Sequence, residues 1–114
     1  MQKSRFFTDF QQEFIEEFSK NFPDFETKTN FAIGSEEIDV AIFDQSQLLF
    51  AVYLDSLEYK DPKEYIKYFD AIKFIEEKKY PVFILNFVEW KLNKQKIMTK
   101  IKEKILTLKE DDLV

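Results

Sequence analysis

Asn30–Ser56 reads NFAIGSEEIDVAIFDQSQLLFAVYLDS and decides the fold. It contains two short apolar runs, Ile38–Phe43 and Leu48–Leu54, separated by the polar tetrapeptide Asp44-Gln45-Ser46-Gln47. Runs of this length, rich in β-branched and aromatic residues and bounded by turn residues, predict strands. Upstream, residues 25–33 (FETKTNFAI) alternate and end at the turn Gly34-Ser35-Glu36. Three successive strands of an antiparallel meander follow from these spacings.

Beyond this stretch the period changes. Asp61-Pro62 followed by Glu64 is a helix start: an Asp cap, proline in the first turn, then an early acid. The helix predicted over 62–79 stops before Tyr80-Pro81. Val82–Val88 (VFILNFV) then reads as a strand covered on both faces. Strand, helix and strand make a β-α-β unit with a parallel pair and a right-handed crossover. Before the meander, residues 5–22 form an amphipathic helix with Phe6, Phe10, Phe14, Phe18 and Phe22 every fourth position. Gln11 falls within this phenylalanine arc and Glu17 at its edge. A last helix begins near Asn93 or Lys94, with Ile97, Ile101, Ile105 and Leu108 on one side. The expectation is a single three-layer α/β domain over residues 1–114, ordered α-β-β-β-α-β-α. Its mixed sheet joins an antiparallel meander to one parallel crossover, with a core over about 5–92 and a basic C-terminal helix over about 94–110.

Composition narrows the chemistry. The 114 residues are 45% hydrophobic and 34% charged, which suits a globular soluble chain. Cysteine and histidine are absent, which excludes disulfides, thiolate sites, the commonest zinc ligand and the usual base of a serine triad. A single glycine, Gly34, excludes glycine-rich phosphate loops. Only carboxylates, lysines and tyrosines remain for catalysis. No apolar run approaches a membrane span and no export signal is apparent, so the expected location is cytoplasmic.

The order of elements, with Asp39 early in the second strand, resembles the PD-(D/E)xK or restriction-endonuclease-like nucleases. It is nearest the N-terminal endonuclease domain of type I restriction motor subunits. Tyr65-Ile66-Lys67-Tyr68-Phe69 and Tyr80–Leu92 correspond to the family's following helix and final strand. The resemblance implies a strand Asp and the Glu of Glu-x-Lys holding one or two Mg²⁺ ions, a Lys orienting the attacking water, and often a Glu from the first helix. Asp39 matches the strand aspartate. In the next strand, however, Tyr53 takes the Glu position and Asp55 the Lys position, so the motif is degenerate. Exchanging Lys for Asp beside a phosphodiester is unfavourable by about 5–6 kcal/mol at an effective dielectric of ~20. That is roughly four orders of magnitude in rate.

Asp39, Asp55 and Glu17 are the candidate Mg²⁺ ligands of a rebuilt site, with Asp39 and Asp55 as its catalytic pair; otherwise no cofactor is expected. Glu58-Tyr59-Lys60 supplies a literal but displaced Glu-x-Lys. Asp39 as a hydrogen-bond acceptor at a strand end, Gln11 as a core amide, Glu17 as a boundary carboxylate and Tyr53 as a half-buried sheet residue are the structural alternatives.

Charge is unevenly placed. Residues 1–90 carry net −8, whereas residues 91–114 carry seven lysines and net +3. Lys96, Lys100 and Lys104 are candidate nucleic-acid contacts. The favoured alternative is a solvated face that complements the acidic remainder of the chain. The leading functional expectation is a catalytically degenerate nuclease-like domain, acting as a binding or assembly module in restriction, defence or a mobile element. An active Mg²⁺-dependent nuclease and an acidic protein-binding or inhibitor domain are the alternatives. The partner, nucleic acid or protein, is open, as is a homodimer.

Overall fold

The computed structural model describes residues 4–56 and 61–111. Helix α1 (Arg5–Asn21) leads into strands β1 (Glu26–Ile33), β2 (Glu36–Asp44) and β3 (Gln47–Asp55). Helix α2 (Pro62–Glu77), strand β4 (Val82–Asn86) and helices α3 (Phe87–Leu92) and α4 (Lys94–Asp111) complete the chain. The sheet order is β1-β2-β3-β4, antiparallel through β3 and parallel between β3 and β4. The α/β class, the element order and the mixed sheet are therefore as expected, with the short α3 in addition.

Local chemistry sets the boundaries. Ser4 caps α1 by accepting the Phe7 N–H at 3.0 Å, and Asp61 caps α2 by accepting the Lys63 N–H at 3.0 Å ahead of Pro62. Gln45 and Ser46 carry φ of 51° and 70° between the paired ends Asp44 and Gln47. Positive φ at both central residues is what a two-residue hairpin needs to match strand twist.

The two sheet faces feed two cores. Val40, Ile42, Phe50, Val52, Leu54 and Leu85 pack under α1, α3 and α4 around Phe10, Phe14, Phe18, Trp90 and Ile101. Ala41, Phe43, Ala51 and Tyr53 pack under α2 against Ala71, Ile72 and Ile75. Phe6, the first residue of the aromatic stripe, is partly exposed but touches Phe87 with ring centroids 4.6 Å apart.

Two expectations about the last strand are corrected. The strand ends at Asn86, not Val88, because the Asn86 side chain accepts the Glu89 N–H at 3.1 Å and starts α3. Nor is it covered on both faces: β4 is a sheet edge among the described residues, and Ile84 is 48% exposed.

β2 also departs from simple alternation. Ile38 has the parity of Val40 and Ile42 yet packs in the opposite core, with α2. The strand therefore changes face at Asp39. On β1, Asn30 lies between the paired residues Thr29 and Phe31 and takes φ of 51°. Asparagine is among the few non-glycine residues that tolerate this left-handed conformation. The kink leaves the β1–β2 register unbroken while turning the side chains over.

Candidate functional site

The face change puts Asp39 inside the protein, 5% exposed. Its Oδ2 accepts the backbone N–H of Leu54 at 2.9 Å, so the carboxylate joins β2 to β3 beyond the last regular pair, Val40 and Val52. Gln11 approaches from α1. Its Nε2 donates to the Asp39 carbonyl at 2.8 Å and to Asn30 Oδ1 at 3.4 Å. One amide from the phenylalanine arc thus fastens the helix to both strands where they change face. Gln11 was legible as a polar residue on an apolar arc; its contact with Asp39 was not.

Tyr53 is buried, more deeply than the half-buried position expected of it. Its hydroxyl donates to the Glu37 carbonyl at 3.0 Å, and its ring meets Tyr68 edge-on at 5.9 Å. Burial first, then the negative charge of Asp39, Glu36 and Glu37, push the phenol above its ordinary range. Tyr53 is therefore a neutral hydroxyl at physiological pH. Asp55 follows Leu54, is half-buried, and stands opposite Asn86 on β4. Positions 39 and 55 lie at the same end of the sheet.

Glu17 does not join them. Gln11 is the α1 residue that meets Asp39, and Glu17 is six positions further on, about 9 Å along the axis and about 120° round it. Glu17 is half-buried at the boundary of the helix. Among the described residues no three carboxylates gather into a group able to hold a metal ion. A hard divalent cation needs several convergent oxygen ligands, preferably charged ones. Among the described residues, those bonded to or neighbouring Asp39 include an amide donating to its carbonyl, a buried phenol and a backbone N–H already on the carboxylate. These residues do not fit Mg²⁺. Glu58-Tyr59-Lys60 lies outside the described residues.

A concavity of about 270 Å³, lined in part by Asp44, Gln47, Lys79, Tyr80 and Leu108, lies at the opposite end of β3 from Asp39.

Lys91, Lys94, Lys100 and Lys109, on α3 and α4, pair with acids of the chain. Glu13 on α1 accepts from Lys91 at 2.8 Å, Lys94 at 2.6 Å and the Trp90 indole at 3.0 Å. The two ammonium groups hold its carboxyl down at about 2, against partial burial. Lys100 pairs with Glu89 at 3.2 Å and Lys109 with Asp44 at 3.1 Å. Lys96, Lys100 and Lys104 form one stripe along α4, Lys96 and Lys100 exposed and Lys104 half-buried. Of the three, Lys100 is drawn into the ion pair with Glu89.

No helix among the described residues is long and apolar enough to cross a membrane. No family model, curated protein or solved structure matches the chain.

Proposed function

We propose that the chain is a restriction-endonuclease-like domain whose catalytic set has been turned to structural use, and that it acts as a binding or assembly module. The observation that carries this reading is the Asp39 carboxylate, buried and accepting the Leu54 N–H, with Gln11 donating to its backbone carbonyl. The mixed sheet, with the aspartate on the second strand and positions 53–55 on the third, supports the resemblance. The uncharged Tyr53 and the acidic Asp55 support its degeneracy, because neither supplies the Glu and Lys that metal-assisted phosphodiester cleavage requires.

The test is a nicking assay with Mg²⁺ and Mn²⁺ on supercoiled and single-stranded DNA, paired with calorimetric titration of each ion. The expected result is no cleavage and no saturable ion binding. Cleavage lost in Asp39→Ala, by a protein that still folds, overturns the reading in favour of a rearranged nuclease.

A further inference from the structure

The concavity of about 270 Å³ lies at the far end of β3 from Asp39, where both cores reach the end of the sheet. Leu48 and Tyr80 pack against the core under α2, and Leu49 and Leu108 against the core under α1 and α4. All four are half-buried, and with Pro81 they supply the apolar part of the lining. Small-molecule pockets run from roughly 300 Å³ upwards, so this hollow suits a short ligand.

The backbone around the hollow is strained. Of the four non-glycine residues at positive φ among the described residues, three border it. Gln45 and Ser46 stand between the lining residues Asp44 and Gln47, and Lys79 lines the hollow with φ of 72°. Lys79 follows the cap of α2. Its N–H donates to the Glu76 carbonyl at 2.9 Å, and the Tyr80 N–H donates to the Ile75 carbonyl at 3.4 Å. Glycine makes this helix ending without steric cost. A lysine there gives up backbone ease for a side chain, and such outliers gather where a side chain has a task.

Charge indicates the task. Asp44, the acid of the lining, is already paired with Lys109 at 3.1 Å. Among the described residues Lys79 has no ion-pair partner, and the Tyr80 hydroxyl has no hydrogen bond. With Asp44 neutralised, the hollow presents an uncommitted ammonium and an uncommitted hydroxyl beside aliphatic carbon. We propose that it is a binding site for a small organic monoanion, a carboxylate carried on a short aliphatic body. Lys79 pairs with the carboxylate, the Tyr80 hydroxyl donates to it, and Leu48, Leu49 and Leu108 receive the aliphatic part. A charge-assisted bond to an oxyanion is among the stronger polar contacts. An organic amine would instead meet the like charge of Lys79. The site lies at the opposite end of β3 from Asp39 and does not depend on the nuclease-like reading.

Titration of the isotope-labelled full chain with hexanoate, hexanamide and hexylamine tests it, followed by the amide resonances in nuclear magnetic resonance. The expected result is saturable shifts from hexanoate centred on Leu48, Leu49, Lys79, Tyr80 and Leu108. The neutral and cationic homologues bind at least about tenfold more weakly. Lys79→Gln removes the charge alone, and Lys79→Gly removes the strain as well. Both are expected to lose hexanoate binding by about tenfold or more, while Lys79→Gly raises the midpoint of thermal unfolding. No saturable shift with hexanoate overturns the proposal, as does hexanamide or hexylamine binding equally tightly. Hexanoate binding that survives Lys79→Gln also overturns it. A midpoint lowered in Lys79→Gly gives the lysine a structural role and counts against the site in the same way.

Discussion

Asp39 on β2 reaches the backbone N–H of Leu54 on β3 at 2.9 Å, from a position almost wholly out of water. An ionised acceptor makes one of the stronger hydrogen bonds available to a backbone amide. Here that bond closes the sheet where β2 turns over, so the acid is a fastener between strands.

Removal of this acceptor strands the Leu54 N–H. Asp39→Ala is expected to lower unfolding stability by about 2–3 kcal/mol. Asp39→Asn, which keeps an acceptor oxygen, is expected to lose less. Urea denaturation of the two variants measures the difference. Equal losses would mean that an uncharged amide oxygen cannot take the place of the carboxylate.

Gln11 gives a prediction with a pH signature. Its Nε2 donates to the Asp39 carbonyl at 2.8 Å, and Gln11→Glu places a carboxylate against that oxygen. The expected cost is about 2–3 kcal/mol at neutral pH. Below the carboxyl's titration the new side chain regains a proton to donate, so the cost shrinks in acid. Denaturation curves at both pH values check this, with Gln11→Leu as the variant whose loss does not follow protonation of residue 11.

The β2–β3 hairpin is strained by its own sequence. Gln45 and Ser46 both sit at positive φ, where a side chain costs roughly 1 kcal/mol or more per residue. Replacement of the pair by Asn-Gly suits this turn and is expected to raise stability by about 1 kcal/mol. A higher midpoint of thermal unfolding, without change in the β-sheet dichroism, is the measurement.

The crossover was readable because Asp61-Pro62 and Tyr80-Pro81 mark both ends of α2, and its apolar flanks fit only strands. The end of β4 was not, since Phe87-Val88 prolongs the apolar run and hydrophobicity does not separate a strand end from a first helical turn. The available signal was Asn86 followed at the third position by Glu89, the spacing of a cap and its returning acid. Nothing in VFILNFV says whether another strand lies beyond it, so its edge position is a property of topology alone. Asp39 was identifiable as a site candidate, but the α1 side chain that reaches it is Gln11 and not the proposed Glu17. Which polar residue on α1 meets β2 depends on how the helix is rotated on the sheet. The face change had one local sign, an asparagine inside a strand pattern. Asn30 takes the conformation that such a residue tolerates.

Glu13 links α1 to both α3 and α4, and its titration exposes that link. Lys91 and Lys94 hold its carboxyl at about 2, below the ordinary 4.5. A carboxyl depressed on folding stabilises the native state above its unfolded value. That contribution disappears as the pH falls from about 4.5 towards 2. All three side chains are partly in water, so screening limits the effect to about 1 kcal/mol. Glu13→Gln retains an acceptor for the Trp90 indole and removes only the charge. Near neutral pH the variant should be less stable than the parent by that amount, and the two should converge near pH 2. Unfolding free energies of both proteins across the acid range provide the test. Parallel curves would show that the ion pairs add nothing to the packing of Trp90 against Phe14, whose rings already meet edge-on at 5.6 Å.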